Sequence, residues 1–340
     1  MDAELEGLLR GQRILVTGAG GSIGSELCGQ IAGYGPECVI ALGHGENPIF
    51  ELAARLARRA PDLLLVPVIA DIRDRGRLET VFARQRPSVV FHAAAHKHVP
   101  LMEANFADAV TNNVSGTRVV VELAAAHGVA HCALISSDKA VRPSSVMGAT
   151  KRVAELVVQH AARRHHRHFV AVRFGNVIGS SGSVVPTFER QIAAGGPVTV
   201  THPEMRRYFM TVPEAVQLVL RAAALGKGGE IFALDMGQPV RILQLAETMI
   251  RQAGKEPGKD IEILISGVRP GEKLYEEPYF SSADSVPTGH PGIQRSRPTA
   301  LPRRFVSRLK ELERAARTGV PDEELRTLLS ALVPDYAPST

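Results

Sequence analysis

The chain has 340 residues and a formal net charge of +5, and its hydrophobic and charged fractions of 44% and 22% are ordinary for a globular protein. Such mild basicity, without a long Lys/Arg block, disfavours nucleic acid as a partner and favours a small anionic substrate. The three cysteines form no C-x-x-C pair, which predicts reduced, buried thiols in a reducing compartment.

The sequence gives no sign of membrane insertion or export. No apolar run in it approaches the roughly 20 residues of a membrane span. The N-terminal stretch is acidic and lacks the apolar centre of a signal peptide. We therefore expect a cytoplasmic protein with no membrane segment in this chain.

Short apolar strands alternate with helical patterns through the first half of the chain. Helices are predicted between the strands, including one over 48–60 and one long helix over 107–128. Strands are predicted from Arg13 onward and at 38–43, 63–71, 88–95, 131–137 and 168–176. This alternation indicates the α/β class, with a Rossmann-like, doubly wound parallel sheet covered on both faces.

Beyond Asn176 the regular alternation ends, and Gly and Pro become frequent between short elements. We expect residues 1–176 to form the main doubly wound domain and residues 177–300 a smaller C-terminal substrate-binding region. Residues 301–340 should form two terminal helices, over 302–318 and 322–332. The histidine-rich stretch at 160–168 is interpreted as the solvated end of a helix, where cations suit the helix dipole. It has no neighbouring Cys or carboxylate, so we predict no metal site there.

A glycine cluster follows the first predicted strand and precedes a helix, which is the context a dinucleotide site requires. Gly18 permits the tight turn, Gly21 lets the backbone approach a pyrophosphate, and Gly24 allows close packing of helix and strand. Ser22 and Ile23 then open the helix whose N-terminus would face the phosphates.

The end of the second strand bears on the choice between NAD and NADP. Gly43 stands where an acidic residue would bind a free ribose hydroxyl, which favours NADP, although no arginine is there to bind a 2′-phosphate. His44 and Glu46 follow, and Glu46 could still reach the ribose. Asp71, with Ile72 beside it, is a candidate for the adenine edge or, equally, for a helix N-cap region.

Small side chains end the fourth predicted strand at Ala93, Ala94 and Ala95, where a cofactor could lie against the strand end. His96, Lys97 and His98 come next. They either point into the crevice where open α/β sheets bind ligands, or belong to a surface loop.

These stretches together resemble one family. The matching segments, in order, are the glycine turn, FHAAAHKHVPLME, NNVSGT, ISSDKAV, MGATKR, RFGNVIGSSGSVVP, RRYFMTVPEA and RPGEKLYEE. They are similar to the extended short-chain dehydrogenase/reductase superfamily, and most of all to its polysaccharide-biosynthesis branch of nucleotide-sugar 4,6-dehydratases acting on UDP-N-acetylglucosamine. The similarity runs from about residue 12 to 293.

The resemblance implies a reaction and a tightly bound NAD(P)+ that is regenerated in each turnover. In such enzymes the sugar is oxidised at C4, the C5 proton is removed, water leaves from C6, and the hydride returns to C6. Residues 1–176 would then hold mainly the cofactor, and 177–300 mainly the UDP-sugar. Asn113, in the matching NNVSGT segment, joins the cofactor set.

The resemblance also assigns roles after the fifth strand. Ser137 would orient the C4 oxygen, and Lys151 would bind the nicotinamide ribose. Asp138 would be the general acid for the C6 hydroxyl. Lys139 would be the base at C5, provided that burial lowers its pKa. The acceptor of the C4 hydroxyl proton stays open between Asp138 and a water held by Ser137.

Met147 departs from the tyrosine of the superfamily. Larger members of the branch, with a membrane half before the catalytic domain, carry this methionine, and the Met type is associated with retention at C5. This chain has the methionine without a membrane segment. It is either a free-standing version or a catalytic domain alone.

On the substrate side the resemblance points to Lys97, His98 and four residues from later motifs. Asn176 would contact the sugar phosphate, Arg269 and Arg207 the diphosphate, and Glu272 would orient Arg269 or touch the uridine ribose.

Three functions compete with the 4,6-dehydratase: a nucleotide-sugar epimerase acting at C4 or C5, a non-catalytic cofactor sensor and a simple dehydrogenase. Met147 and the Asp138–Lys139 pair disfavour the epimerase. A sensor would be expected to lose Asp138, Lys139 or Lys151, and all three are present. A dehydrogenase would need to exchange its cofactor during turnover. Relatives are homo-oligomers. The apolar helices at 107–127 and 153–162 could supply an interface, but core packing explains them equally well.

Overall fold

A computed structural model describes residues 3–180, 182–277, 285–297 and 299–338. The strands are β1 Arg13–Thr17, β2 Cys38–Gly43, β3 Leu65–Ile69, β4 Val89–His92, β5 His131–Ile135, β6 His168–Arg173, β7 Asn176–Val177, β8 Val198–Val200, β9 Arg206–Arg207, β10 Phe209–Met210, β11 Ile231–Leu234, β12 Val240–Arg241, β13 Ile263–Ile265, β14 Ser285–Pro287 and β15 Ile293–Ser296. The α-helices are α1 Ala3–Leu9, α2 Ser22–Ala32, α3 Glu46–Arg59, α4 Arg75–Gln85, α5 Val99–Glu103, α6 Phe106–Ala109, α7 Thr117–Ala126, α8 Val146–His165, α9 Val184–Ala193, α10 Val212–Leu225, α11 Ile242–Gln252, α12 Phe305–Thr318 and α13 Asp322–Leu332.

The main sheet has the order β14-β15-β11-β6-β5-β4-β1-β2-β3. Pairing is parallel from β3 across to β11, whereas β15 and β14 are antiparallel to their neighbours. Because β1 lies between β2 and β4, the winding direction reverses there, and ligands of such sheets bind beside that reversal. The predicted α/β, doubly wound fold is confirmed.

Two apolar layers sandwich this sheet, as expected for strands that are buried on both faces. Helices α4, α7, α8, α12 and α13 pack on one face, and α1, α2, α3 and α10 pack on the other. The terminal helix α12 packs on the segment that precedes α7, and α13 packs on α6 and α8. Core packing therefore accounts for the apolar character of the helices at 107–127 and 153–162.

The chain beyond residue 176 contributes to the main sheet and to a separate small core. Strands β11, β14 and β15 extend the main sheet, and α10 covers it. A separate small core joins α9, α11, β8 and the chain near Ile261. The main sheet thus runs across the expected boundary at residue 176, and the assignment of ligands to the two regions stays a prediction.

The predicted long helix over 107–128 is wrong in its middle. Between α6 and α7 the segment Val110–Gly116 is π-helical, with both Asn112 and Asn113 buried. A Cβ on Gly116 would lie 2.6 Å from the Ile72 side chain, so the wide turn packs closely on the end of the sheet. Insertions of this kind are common at functional sites.

Other predicted boundaries shift by a few residues. The strand predicted to reach residue 176 ends at Arg173, because Asn176–Val177 pairs with β10 in a separate sheet. The histidine-rich stretch is an exposed helix end, as predicted, with Arg163, Arg164 and His165 in the last turn of α8. All three cysteines are buried and free. Within the described residues, no helix is long and apolar enough to cross a membrane, and no group of His, Cys, Asp or Glu is arranged to hold a metal.

Candidate active site

The glycine turn lies where the strand order reverses, between β1 and α2. Gly18 has a φ of +67°, and a Cβ there would lie 2.6 Å from the Ala94 nitrogen. A Cβ on Gly24 would lie only 2.1 Å from the Gly18 oxygen. These two glycines therefore bring α2 and the end of β4 into contact with the turn.

Gly21 has a different environment. It is the N-cap of α2 without a capping side chain, and its Cβ would meet only the Gly18 oxygen, at 3.3 Å. Gly21 therefore leaves room for an anion at the helix start, where Ser22 and Ile23 form the first turn. This shape fits the pyrophosphate of a dinucleotide.

The chain after β2 borders the same turn. His44 and Glu46 are exposed, and a Cβ on Gly20 would lie 2.5 Å from the Pro48 side chain. His44 and Glu46 therefore lie beside the expected cofactor site with their side chains exposed.

Asp71 does not cap a helix, so that alternative is wrong. Asp74 is the N-cap of α4 and accepts from the Arg77 nitrogen at 2.9 Å. Asp71 instead holds Arg73, whose Nη2 lies 2.7 Å from its Oδ2, and this contact lowers the pKa of the Asp71 carboxyl. Arg73 also pairs with Asp108. The sequence predicts no arginine for a 2′-phosphate at the end of β2, whereas Arg73 follows β3.

The π-helical segment fastens the chain after β4, next to the half-buried Ala93, Ala94 and Ala95. Asn113 accepts from the His96 nitrogen at 2.8 Å and donates to the His96 oxygen at 3.0 Å. A further contact, at 3.2 Å, joins Asn113 to Thr150 on α8. Asn113 therefore fixes the backbone at His96, and its place in the cofactor set stays a prediction.

Ser137, Asp138 and Lys139 lie together directly after β5. Ser137 caps the 3-10 turn Asp138–Ala140, and its hydroxyl donates to Asp138 Oδ1 at 2.9 Å. Asp138 is fully buried, and its Oδ1 also accepts from the Lys139 nitrogen at 2.8 Å and from Lys139 Nζ at 3.0 Å. Its other oxygen, Oδ2, has no hydrogen-bond partner within the described residues.

The expectation that burial lowers the Lys139 pKa is wrong. Burial opposes the ammonium charge, but the carboxylates of Asp138 and Glu276 outweigh it and raise the pKa. Lys139 Nζ lies 3.0 Å from Asp138 Oδ1 and 3.7 Å from Glu276 Oε1. The free protein therefore holds Lys139 as an ammonium group.

Glu276 is a site residue that the sequence reasoning missed. Its side chain is only 3% exposed, and burial raises its pKa. In the sequence it is one of two adjacent glutamates, and no pattern separates it from the more exposed Glu277. Only the fold shows that Glu276 faces Lys139.

Helix α8 brings Met147 and Lys151 to the same place. Its N-cap, Ser145, accepts from the Gly148 nitrogen at 3.0 Å, and a Cβ on Gly148 would lie 2.2 Å from the Lys139 oxygen. Gly148 thus lets the helix contact the turn that carries Lys139. Met147 is buried, and Lys151, one turn further, donates from Nζ to the Ile135 oxygen at 2.5 Å. Burial lowers the pKa of Lys151 to about 8.

A buried ion network lies behind these residues. Glu155, on α8, accepts from Ser136 Oγ at 2.7 Å and from two nitrogens of Arg173 at 2.6 Å each. Arg152 adds a contact of 2.9 Å. The network ties α8 to β6 and to the chain just before Ser137, and it therefore positions both halves of the site.

Of the predicted substrate residues, Asn176 lies beside Lys139, and His98 lies near Lys97 and Arg269. Asn176 Oδ1 lies 3.4 Å from Lys139 Nζ. Lys97 and His98 are exposed, and the pKa of His98 is lowered by burial and by the charges of Lys97 and Arg269. The charges of Lys97 and Arg269 suit a diphosphate. Arg269 Nη2 lies 2.5 Å from Glu272 Oε1, and the roles of both residues toward the substrate stay predictions.

Arg207 does not fit its predicted diphosphate role. It is buried, and its guanidinium donates to the backbone oxygens of Arg206 and Lys273 at 2.8 Å each. Its Nη2 lies 4.0 Å from Glu276 Oε1. Arg207 therefore acts inside the protein, next to Glu276.

Residues 14–298 match the family model described as polysaccharide biosynthesis protein. The capsular polysaccharide biosynthesis protein CapD of Staphylococcus aureus is 56% identical over a segment that covers 79% of this chain and 45% of CapD. The chain thus spans about half the length of that relative. A UDP-N-acetylglucosamine 4,6-dehydratase (inverting) of Campylobacter jejuni is 32% identical, covering 82% of this chain and 80% of the relative. The X-ray structure of Pen from Bacillus thuringiensis superposes with a TM-score of 0.78 and 32% identity, covering 85% of this chain and 90% of Pen.

Proposed function

We propose a function from the premise that this chain belongs to the polysaccharide biosynthesis protein family. In this proposal it is a UDP-N-acetylglucosamine 4,6-dehydratase that retains the configuration at C5. Membership confirms the resemblance noted in the sequence, and it supports a nucleotide-sugar dehydratase or epimerase. The observation that carries the finer proposal is the buried Asp138, bonded to both Ser137 and Lys139 at the carboxyl end of β5.

The cofactor we propose is NAD(P)+, which when bound accepts the hydride from C4 and returns it to C6. The uncapped α2 start at Gly21 would hold its pyrophosphate, and Lys151 its nicotinamide ribose. The lack of an acidic residue at the end of β2 favours NADP+ over NAD+.

The C4 hydroxyl proton passes to Asp138 in this proposal. Ser137 Oγ already donates to Asp138 Oδ1, so a substrate hydroxyl that donates to Ser137 completes a chain of two hydrogen bonds. Asp138 then holds this proton as a carboxylic acid. This choice removes the need for the missing tyrosine.

Asp138 next gives the same proton back through Ser137 to the C6 hydroxyl, which leaves as water. The C4 hydroxyl proton and the C6 hydroxyl together account for the water lost, and Asp138 ends as the carboxylate it was at the start. One buried group therefore serves as both base and acid.

Lys139 takes the C5 proton and returns it to the same face. Its side chain is 18% exposed, whereas Asp138 is not exposed at all, so Lys139 is the member of the pair that a sugar can reach. Return from one group to one face gives retention. Met147, buried and without an exchangeable proton, packs beside this centre.

The rival epimerase needs redox at C4 but no acid for C6, so only the second proton transfer of Asp138, to the C6 hydroxyl, has no task in it. To decide, the purified protein is incubated with UDP-N-acetylglucosamine and no added cofactor, and the nucleotide sugars are followed by mass spectrometry and proton NMR. The dehydratase gives a 4-keto product lighter by one water. Unchanged mass with a new sugar configuration would establish the epimerase. An unchanged sugar would favour the non-catalytic cofactor sensor.

A further inference from the structure

Lys139 lies between two buried carboxyl groups, and the reaction proposed above uses only one of them. Asp138 and Glu276 have side chains that are 0% and 3% exposed. Neither can contact a sugar directly in this conformation, because both are enclosed by protein. Glu276 can therefore take part in the chemistry only through Lys139.

The two carboxyl groups differ in their hydrogen bonds. Asp138 Oδ1 accepts from Ser137 Oγ, from the Lys139 nitrogen and from Lys139 Nζ, and these bonds stabilise its carboxylate form. Glu276 Oε2 has no hydrogen-bond partner within the described residues. Its Oε1 is 3.7 Å from Lys139 Nζ and 4.0 Å from Arg207 Nη2, both beyond hydrogen-bond length. Protonation therefore disrupts fewer bonds at Glu276 than at Asp138.

We propose that Glu276 is the positioning residue that takes the ammonium proton of Lys139, so that Lys139 becomes the neutral amine that removes the C5 proton. This inference rests on the proposed dehydratase function. It answers a question the structure raises, since an ammonium group cannot act as a base.

The protons balance over one turnover. The Lys139 ammonium gives one proton to the Glu276 carboxylate, and the resulting amine takes the proton from C5. After water has left and the hydride has reached C6, Lys139 returns that proton to C5. Glu276 then gives its proton back to the amine, which restores the starting ion pair.

In the free protein the two carboxylates raise the pKa of Lys139 and oppose this exchange, but one of them is neutralised once Asp138 holds the C4 hydroxyl proton. Burial is the largest cause of the raised pKa of the Glu276 carboxyl, against the opposing charges of Lys139, Arg207 and Lys273, and it does not depend on the charge of Asp138. A desolvated Lys–Glu pair gains from becoming neutral, because both charged forms lose solvation. The gap of 3.7 Å exceeds hydrogen-bond length by under about 1 Å, and such contacts often tighten when substrate binds.

The test is the pH dependence of C5 exchange. Protein with bound cofactor and UDP-N-acetylglucosamine is placed in deuterated water, and deuterium at C5 is measured by mass spectrometry for the unmodified protein, Glu276→Gln and Glu277→Gln. In Glu276→Gln the Lys139 proton can leave only to solvent. Exchange should fall on the order of 100-fold near neutral pH and then rise about tenfold per pH unit. The unmodified protein and Glu277→Gln, altered at the neighbouring glutamate, should have nearly flat profiles.

A flat Glu276→Gln profile overturns the proposal, whether its rate is normal or is reduced equally at every pH. If that variant does not fold, infrared difference spectra of the unmodified protein decide instead. Substrate binding should then produce a carboxylic acid C=O band that Glu276→Asp shifts, and absence of the band rejects the proposal. Failure of the dehydratase assignment is separate, since the unmodified protein would then form no product that has lost water.

Discussion

Asp138→Asn separates the charge of this side chain from its shape. The asparagine oxygen can take the place of Oδ1 and keep the three hydrogen bonds, and the amide nitrogen replaces Oδ2, which has no partner within the described residues. The fold should therefore survive with a loss of about 1–3 kcal/mol in the free energy of unfolding, the usual scale for a weakened charged hydrogen bond.

The catalytic loss should be much larger. The amide cannot accept the C4 hydroxyl proton, and it cannot give a proton to the C6 hydroxyl. General acid–base groups contribute on the order of 10²–10⁴-fold to rate, so oxidation and water loss should both fall by at least that factor. The substitution also removes a Coulomb attraction of about 5 kcal/mol between charges 3.0 Å apart, at an effective dielectric of about 20. Most of this attraction is offset because the neutral amide is cheaper to desolvate than the carboxylate, so the net loss of stability stays at about 1–3 kcal/mol.

Two signals measured in one stopped-flow experiment test this result. The absorbance of reduced nicotinamide reports oxidation at C4, and mass spectrometry of quenched samples reports water loss. Asp62→Asn serves as the control and should react normally, because Asp62 is exposed and lies just before β3, an edge strand of the main sheet. If Asp138→Asn oxidised C4 at the normal rate and lost only elimination, Asp138 would not be the acceptor of the C4 hydroxyl proton.

Three further outcomes are expected. Gly24→Ala should abolish NAD(P)+ binding in calorimetry, because its Cβ would lie 2.1 Å from the Gly18 oxygen. Gly29→Ala, in the same helix with no atom within 4 Å of its Cβ, should instead stabilise the protein to urea by about 0.5–1 kcal/mol. Glu155→Gln should lower the free energy of unfolding by about 3–5 kcal/mol in urea titrations, and a loss under about 1 kcal/mol would contradict the role of the buried network. Affinity for NAD(P)+ should fall as pH rises through about 8, where the lowered pKa of Lys151 removes its ammonium charge, and Lys151→Met should abolish that dependence.

The fold was predictable because its signals are local. Apolar strands alternating with helices, and glycines at 18, 21 and 24, require no knowledge of distant contacts. The π-helical turn at Val110–Gly116 was not predictable, since its cause is the fit of Gly116 against Ile72 and of Asn113 against His96. Such contacts join residues far apart in the chain.

The candidate site was predictable only in part for the same reason. Ser137, Asp138 and Lys139 are adjacent, and their position after a strand marked them as a group. The protonation of Lys139 was misjudged, because it depends on Glu276, which lies 137 residues later in the chain and 3.7 Å away in space. Burial alone would lower the pKa of a lysine, but two buried carboxylates reverse the direction.

The most direct test of the central claim follows the hydrogen on C4. UDP-N-acetylglucosamine carrying deuterium at C4 is incubated in ordinary water with the protein and NAD(P)+, and the product is analysed by NMR. An internal 4,6-dehydration predicts a 4-keto product that has lost water and carries the deuterium at C6. Deuterium found again at C4 of an isomerised sugar, or transferred to free cofactor, would contradict the account.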